Sequence, residues 1–190
     1  MSQRPSHQAS ARFRPWGAAI LLALCLASPV SAESSREYDL KAVFLYNFAT
    51  FVEWPESARP PAGEPIIIGI LGRDPFGTVL DGIVEGETLR GHPLEVRRYR
   101  SAEAALECHI LYISASEAPR LAQVLRILKG TPVLTVADIP SFGDAGGIIT
   151  FSTGARVQLH VNSDAAQEAG LSISSKLLRV ATVAGQKSAP

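Results

Sequence analysis

Hydrophobic side chains recur at a helical period in residues 38–55, the first patterned segment of the chain. Pro55 ends this segment, because proline cannot continue a helix. The predicted buried face consists of Leu40, Val43, Phe44, Phe48, Phe51 and Val52. Asn47 falls on the same face, and a buried amide must find hydrogen-bond partners. We therefore expect this first helix to pack against specific polar groups.

Short apolar, β-branched runs follow and predict strands separated by helices. The runs cover residues 66–71, 94–100, 109–114 and 132–136, and the second run has the partial alternation of a strand near an edge. A helix over roughly residues 75–84 is predicted after the first run, with Asp74 as N-cap and Pro75 in its first position. An amphipathic helix ended by Gly130 precedes the fourth run, and its predicted buried residues are Leu121, Val124, Leu125 and Leu128. This alternation predicts a mostly parallel sheet covered on both sides.

The C-terminal part departs from this rhythm. Residues 148–151 and 157–161 flank a glycine-containing turn and predict an antiparallel hairpin. Two helices are predicted after it, over residues 164–169 and from Ser174 to about residue 184. The whole pattern fits one α/β domain over residues 33–190, built as a three-layer α/β/α sandwich.

The first 32 residues have the composition of a secretory signal peptide. Three arginines and no acidic residue precede an apolar run at residues 16–26, and a Val-Ser-Ala tripeptide then predicts cleavage after Ala32. The apolar run is too short to span a bilayer comfortably. We therefore predict a periplasmic protein from which residues 1–32 are removed.

The charge balance argues against nucleic acid and anionic lipid as partners. The chain has 18 basic and 18 acidic residues, and removal of the three leader arginines leaves 15 against 18, a net charge of −3. No segment has the density of basic residues that such partners require. Cys108 is the one cysteine that remains after cleavage, and its apolar neighbours predict a buried, unreactive thiol. Whether Cys108 ever bridges two chains stays open.

The titratable residues form no recognisable catalytic or metal-binding pattern. His92, His109 and His160 lack the spacing of zinc ligands. There is no Gly-x-Ser-x-Gly motif, and no pair of carboxylates stands out for acid–base chemistry. The sequence therefore predicts a binding protein without an enzymatic activity, a metal or a cofactor.

A glycine-containing turn after the first strand has two interpretations. Gly72, Arg73 and Asp74 lie where open α/β sheets bind ligands, between a strand and a helix. The full Gly-x-Gly-x-x-Gly pattern is absent, and Asp74 would compete with an anion for the same N–H groups. A tight structural connection is therefore favoured, with a small-ligand turn as the alternative.

Two charged groups also have two interpretations each. Arg97 and Arg98 either protect an edge strand from aggregation or anchor an acidic partner or a small anion. Ser175 and Lys176 stand in the first turn of the last predicted helix, where a lysine is slightly unfavourable against the helix dipole. They are either a solvated helix start or a contact for a partner, and the structural interpretation is favoured for both groups.

Six collinear motifs resemble the YfiR family of bacterial periplasmic domains. They cover nearly all of residues 38–184. The motifs are Lys41-Ala-Val-Phe-Leu-Tyr-Asn-Phe-Ala-Thr-Phe-Val-Glu-Trp-Pro55, Ile68-Gly-Ile-Leu-Gly-Arg-Asp-Pro-Phe-Gly77, Cys108-His-Ile-Leu-Tyr-Ile-Ser114, Pro132-Val-Leu-Thr-Val-Ala-Asp138, Gly146-Gly-Ile-Ile-Thr-Phe151 and Ala169-Gly-Leu-Ser-Ile-Ser-Ser-Lys-Leu-Leu178.

The resemblance implies a Rossmann-like sandwich that forms a homodimer. It also implies a repressor that binds the periplasmic region of an inner-membrane diguanylate cyclase and so lowers cyclic di-GMP and biofilm output. An outer-membrane lipoprotein would sequester this repressor and release the cyclase. The alternatives are a periplasmic sensor of a small ligand and an adaptor for a histidine kinase.

The chain departs from the family pattern in two places. Cys108 stands alone, whereas familiar members are held by disulfides, so redox control of folding is not implied here. The family pattern Arg-Phe-Glu-Ile-Asn is replaced by Gln158-Leu-His-Val-Asn162, which puts His160 in an acidic position. His160, Asn162, Ser175 and Lys176 are the first candidates for partner contacts, followed by Arg97 and Arg98.

Overall fold

The structure of the protein is a computed structural model that describes residues 30–153 and 156–184. The predicted signal peptide lies outside these residues except for its last three positions, so the leader and its cleavage after Ala32 stay predictions. None of the described helices is both long enough and apolar enough to cross a membrane.

Helices and strands alternate along the first two thirds of the chain, as the pattern predicts. The helices are α1 (Val30–Phe51), α2 (Thr78–Val84), α3 (Leu121–Leu128), α4 (Ser163–Glu168) and α5 (Ser175–Val180). The strands are β1 (Val52–Glu53), β2 (Ile66–Leu71), β3 (Thr88–Leu89), β4 (His92–Tyr99), β5 (Ile110–Ile113), β6 (Leu134–Ala137), β7 (Ile149–Thr153), β8 (Val157–Asn162), β9 (Ser172–Ile173) and β10 (Thr182–Ala184). Short 3₁₀ helices cover Glu56–Ala58, Ala104–Glu107 and Ala115–Arg120.

Eight strands form one sheet in the order β10-β8-β7-β6-β5-β2-β4-β3. Neighbours from β7 to β4 are parallel, as are β10 and β8. The β7–β8 and β3–β4 pairs are antiparallel. In the β7–β8 hairpin, Ile149 stands opposite Val161 and Phe151 opposite Leu159. The predicted hairpin and the predicted α/β class with a mostly parallel sheet are therefore confirmed.

Apolar side chains cover both faces of this sheet. On β2, Ile68 belongs to the core under α1 and α2, whereas its neighbour Ile67 belongs to the core under α3. All six residues of β2 are buried, as expected of a central parallel strand. The four residues that were predicted to face the core from α3 are buried as well.

The buried face of α1 matches the predicted one only in part: Phe48 and the following Val52 are buried as predicted, and Phe44 and Phe51 are partly buried against the core. Leu40 and Val43 are 45 % and 42 % exposed, so the predicted face is wrong at these positions. The fully buried residues of the patterned part of α1 are Lys41, Ala42, Leu45, Phe48 and Ala49, and Val52 at the start of β1 continues this face. The Nδ2 atom of Asn47 donates to the carbonyl oxygen of Val43 in its own helix. Helix α1 does pack against polar groups of another element, but Tyr38 and Lys41 make these contacts, with Asp138.

The start of α2 is three residues later than predicted. Asp74 does not cap the helix; its Oδ1 atom accepts hydrogen bonds from the backbone N–H groups of Phe76 (2.7 Å) and Gly77 (3.2 Å). This side chain closes a turn of the type that aspartate favours. Gly77 then precedes the helix with φ of 55°, a conformation that favours glycine.

The last helix is shorter than predicted. Ser174 caps α5 as expected, since its Oγ atom accepts from the N–H of Lys176. The helix ends at Val180, and the residues Thr182–Ala184 form β10 beside β8, with Thr182 opposite His160. The prediction of helix to residue 184 is wrong because the open edge of β8 offers these residues a strand partner.

Candidate functional site

Three parallel strands end side by side at the carboxyl edge of the sheet. Strand β2 leads into Gly72, β5 into Ser114 and β6 into Asp138. The chain leaves β2 towards β4 and leaves β5 in the other direction towards β6, so the connections reverse between β2 and β5. Open α/β sheets bind ligands at such a switch point. The polar residues at this edge therefore form the candidate site.

A charged and aromatic cluster lies between α1 and the ends of β5 and β6. We call it the Lys41 cluster, and its members are Glu37, Tyr38, Lys41, Tyr112 and Asp138. The Nζ atom of Lys41 is 2.7 Å from Asp138 Oδ2 and 2.5 Å from Glu37 Oε1, and the lysine side chain is 1 % exposed. The Tyr38 hydroxyl donates to Asp138 Oδ2 at 2.9 Å, and its ring centroid lies 4.4 Å from Lys41 Nζ. The buried ammonium group is thus compensated by two carboxylates and an aromatic ring.

The cluster keeps both of its central charges at neutral pH. Burial alone would lower the pKa of Lys41, but its hydrogen bonds to Asp138 and Glu37 outweigh this effect and raise the pKa. Burial alone would raise the pKa of Asp138, but the hydrogen bond and the charge of Lys41 lower the pKa on balance. Burial, reinforced by the charge of Asp138, raises the pKa of both Tyr38 and Tyr112, so both phenols stay neutral.

Two buried atoms of the Lys41 cluster form no hydrogen bond of normal geometry within the described residues, although Tyr112 and Asp138 are close enough to shift each other's pKa. The two atoms are Asp138 Oδ1 and the hydroxyl oxygen of Tyr112. Tyr112 is fully buried and packs edge-on against Phe76, with ring centroids 4.8 Å apart. Buried polar atoms are nearly always hydrogen-bonded, so Asp138 Oδ1 and the Tyr112 hydroxyl identify the part of the cluster where further polar contacts could form.

Sequence reasoning missed the Lys41 cluster. Lys41 and Asp138 appeared in the sequence only as members of two longer motifs. A lysine among the apolar residues of the helix was nevertheless a usable signal, because a buried charge needs a partner. The two residues are 97 positions apart, and no local pattern connects them. Their pairing follows only from the docking of α1 onto the end of β6.

A groove of about 780 Å³ lies next to the cluster, between the loop after β6 and the β7–β8 hairpin. Asp138, Phe142, Thr150 and His160 are among the residues that line it. The Nε2 atom of His160 is 2.8 Å from the Oγ atom of Ser152 on the neighbouring strand. His160 is therefore half-buried, hydrogen-bonds to Ser152 and faces the groove.

Asn162 stabilises the end of the same hairpin through two side-chain hydrogen bonds. Its Oδ1 atom accepts from the N–H of Ala165 and caps α4, and its Nδ2 atom donates to the carbonyl oxygen of Gly143. Ser175 and Lys176 are exposed at the start of α5, and α5 leads into β10, which pairs with β8. His160 and Asn162 thus lie on β8, next to the edge strand β10, whereas the start of α5 lies at the end of α1, where the N–H of Ser174 donates to the carbonyl oxygen of Phe51.

Arg97 and Arg98 lie elsewhere, on β4 near the opposite end of the sheet. Four strands separate β4 from β8, a distance of about 24 Å at the usual strand spacing. Arg97 pairs with Glu95 at 2.6 Å and Glu107 at 3.1 Å. Both arginines are therefore neutralised within the chain, and they do not share a surface with His160.

The carboxylate partners of Arg98 come from the region of α2. Its guanidinium group donates to Asp81 Oδ2 at 2.5 Å, to Asp74 Oδ2 at 3.0 Å and to the carbonyl oxygen of Gly77. These hydrogen bonds raise the pKa of Arg98 and lower that of Asp81. The arginine fixes the turn before α2 to β4, which favours the structural interpretation.

The Gly72–Arg73–Asp74 turn lies at the switch point, where the sequence placed it. Gly72 has φ of 90°, and a Cβ atom there would stand 2.5 Å from Ser116 Oγ. The backbone N–H of Arg73 donates to Ser116 Oγ at 2.9 Å. A small cavity of about 390 Å³ opens between this turn and the segment after β5.

Cys108 is a buried thiol, and the titratable side chains of the described residues form no metal-binding group. The Cys108 thiol is buried and donates to the carbonyl oxygen of Ala105, and burial raises its pKa to about 12. Such a thiol is unreactive at neutral pH. Within the described residues, no group of three or more His, Cys, Asp and Glu side chains could hold a metal ion.

The family of the chain follows from its sequence. The family profile described as YfiR/HmsC-like matches residues 38–182, which include the Lys41 cluster from Tyr38 onwards, the groove and the switch-point turn. No curated protein matches the chain significantly.

Two solved structures resemble the fold at low sequence identity. One is described as a conserved domain protein from Vibrio cholerae; it has 12 % identity and a TM-score of 0.49, and the match covers 77 % of this chain and 59 % of that one. The other is described as an ABC domain from Streptococcus pneumoniae in complex with L-Trp, with 11 % identity, a TM-score of 0.51 and coverage of 78 % and 60 %. The chain thus spans about three fifths of the length of these proteins, and the second likeness concerns the fold alone.

Proposed function

The chain belongs to the YfiR/HmsC-like family of periplasmic regulators, and on this premise we propose that it represses an inner-membrane diguanylate cyclase by binding the periplasmic region of that enzyme. Binding would lower cyclic di-GMP and with it biofilm and exopolysaccharide output. The observation that carries this proposal is the family match over residues 38–182, which covers nearly the whole described domain.

The proposed contact surface is the end of the sheet that carries β8, β10 and α5. His160 lines the groove. Ser175 and Lys176 are exposed at the start of α5, next to the end of α1, where the N–H of Ser174 donates to the carbonyl oxygen of Phe51. Asn162 contributes indirectly, because one of its hydrogen bonds fixes the end of the hairpin to Gly143 in the loop after β6 and the other caps α4. Charged residues at a rim steer association and select partners, so Lys176 is the first residue to test.

Arg97 and Arg98 are the second choice as residues that contact the partner. Each would have to exchange carboxylates of its own chain for those of a partner. An acidic partner would then gain little, because exposed ion pairs contribute about 0–1 kcal/mol.

The finer features of the proposal come from the family. We propose a Rossmann-like three-layer sandwich, which the apolar cores on both faces of the sheet support. We further propose that the protein is exported with cleavage after Ala32, forms a homodimer and is sequestered by an outer-membrane lipoprotein.

The proposal is tested first in cells. Deletion of the gene should raise cyclic di-GMP and surface attachment, and expression of the wild-type protein should reverse both. Unchanged levels of cyclic di-GMP after deletion would reject repression of a cyclase.

The contact surface is tested with purified components. Lys176→Glu should weaken binding to the periplasmic region of the cyclase about tenfold or more, because it reverses a charge at the proposed rim. Arg126→Glu on α3 is the matched control, since Arg126 is also exposed but lies on the other side of the sheet. Equal weakening by both variants would mean that net charge, and not this surface, governs binding.

A small-ligand sensor is the second candidate function. The cavity of about 390 Å³ at the switch-point turn favours it. Titration of the purified protein with a panel of metabolites would separate a sensor from a repressor that binds protein alone.

A further inference from the structure

We infer that the cavity between the ends of β2 and β5 binds the anionic group of a small ligand, a carboxylate or a phosphate, with Arg73 as its cation. We call this cavity the switch-point cavity, and it is lined by Tyr38, Arg73, Pro75, Ser114, Ala115 and Ser116. This site is separate from the surface proposed for the cyclase.

Arg73 is the cation of this cavity that its surroundings leave uncompensated. Its backbone is held by Ser116, but its exposed guanidinium group forms no ion pair or hydrogen bond with a described residue. The nearby carboxylates are already paired: Asp74 with Arg98, Glu117 with Arg120, and Asp138 with Lys41. A planar guanidinium group without a partner matches the two oxygens of a carboxylate or phosphate.

The two serines supply a free hydroxyl proton. Ser114 is 6 % exposed, and its Oγ atom lies 3.3 Å from the Oγ atom of Ser116. The Ser116 oxygen also accepts from the N–H of Arg73, and the Ser114 oxygen accepts from the N–H of Ser116. The two hydroxyl groups share one hydrogen bond, so one of their two protons has no acceptor in the described chain, whichever group donates. An anion in the cavity would accept that proton.

The backbone is built to hold Arg73 in this place. Gly72 adopts φ of 90°, and a side chain there would collide with Ser116 Oγ at 2.5 Å and Glu117 Oε1 at 2.7 Å. Glycine therefore allows the turn after β2 to contact the segment after β5. This contact sets the hydrogen bond between Arg73 and Ser116, and it places cation and hydroxyl groups on the two sides of the switch point.

The size and the walls of the switch-point cavity define the ligand further. Its volume of about 390 Å³ lies at the low end of the usual range for small-molecule sites, about 300–1,000 Å³. Tyr38 and Pro75 give it an aromatic and an apolar wall. With one uncompensated positive charge, the cavity favours a ligand with a single anionic group.

The test is a titration of the purified protein, followed by the backbone amide signals of Arg73 and Ser116 in NMR spectra. Sodium acetate and sodium phosphate are the two probes, with sodium chloride keeping the ionic strength constant. A saturable shift with acetate assigns a carboxylate ligand, and one with phosphate assigns a phosphate ligand. Arg73→Ala should lower the affinity of the effective probe about tenfold or more, since hydrogen bonds to charged groups contribute about 1.5–3 kcal/mol.

Arg100→Ala is the matched control. Arg100 follows β4 at the same edge of the sheet and is exposed, but it does not line the cavity. Its replacement should leave the affinity unchanged, and Arg73→Gln, which keeps the chain length, serves if Arg73→Ala is poorly folded by circular dichroism. Absence of saturable shifts with both probes, or equal affinity in wild type and Arg73 variants, would overturn the inference.

Discussion

Two cations of this protein, Lys41 and Arg98, each pair with two carboxylates, but their surroundings are opposite. The Lys41 side chain is 1 % exposed, whereas that of Arg98 is 39 % exposed. Removal of one partner from a buried pair leaves an uncompensated charge in a medium that solvates it poorly. Water replaces a lost partner at the surface at little cost. Similar distances between charges therefore have very different consequences for stability.

The largest effect is expected from Lys41→Met. The change keeps an unbranched side chain of similar length but leaves Asp138 without its cation, so the free energy of unfolding should fall by about 3–5 kcal/mol. Chemical denaturation followed by circular dichroism measures this loss. The double variant Lys41→Met with Asp138→Leu should recover most of it, because no buried charge from the pair remains. A loss below about 1 kcal/mol in the single variant would contradict the contrast with Arg98.

The second largest effect is expected from acid, which should remove the stabilisation that the Lys41 cluster gives to the folded state. The pKa of Asp138 is lowered in the folded state, so its contribution is present above the unfolded-chain value near 3.8 and is lost as the pH falls through the folded value. The pKa of Lys41 is raised, so its contribution is present below the unfolded-chain value near 10.5 and is lost as the pH rises through the folded value. Denaturation curves from pH 7 downwards, compared between wild type and Asp138→Asn, measure the acid side. The stability gap between them should close below about pH 4, and a constant gap would show that Asp138 does not act through its charge.

Arg98→Ala should cost less, about 1 kcal/mol or below, although Arg98 bonds to Asp74, Asp81 and a carbonyl oxygen. Added salt should reduce even this effect, because ions screen exposed pairs. Denaturation at low and high sodium chloride tests both statements. A loss as large as that of Lys41→Met would mean that the turn before α2 depends on this arginine far more than its exposure indicates.

Arg97→Ala should have the smallest effect, about 0.5 kcal/mol or less, because its partners Glu95 and Glu107 are themselves about half exposed. The same denaturation experiment applies. If Arg97→Ala and Arg98→Ala lower the free energy of unfolding equally, the extra hydrogen bonds of Arg98 add no stability, and the two arginines differ only in which carboxylates they contact.

The strands and the hairpin could be predicted because their patterns are local. The β2 and β5 runs are apolar at every position, and α3 carries its four buried residues at the spacing of one helical face. The buried face of α1 could not be chosen in the same way. Apolar residues occupy almost every position from Leu40 to Phe48, so several faces fit the period equally well. Contact with the sheet selected the face that contains Lys41.

The candidate site likewise has a part that the sequence predicted and a part that only the fold brought together. The Gly72–Arg73–Asp74 turn was predicted because a strand, a glycine and a helix follow one another in the chain. Its hydroxyl groups come from the segment after β5, where Ser116 lies 43 residues after Arg73, and were not predicted. The predicted partner residues turned out to lie at two separate parts of the sheet, because strand order does not follow chain order.

The sequence alone determined the α/β class, the positions of the central strands, the hairpin and the family, since each of these rests on periodicity or on contiguous motifs. The tertiary structure decided which face of α1 is buried, that Lys41 meets Asp138 across 97 positions, and that residues 182–184 join β8 as a strand. The physical reason is that burial and pairing depend on neighbours brought together by folding, and a side chain acquires its charge partner only when two distant segments have docked.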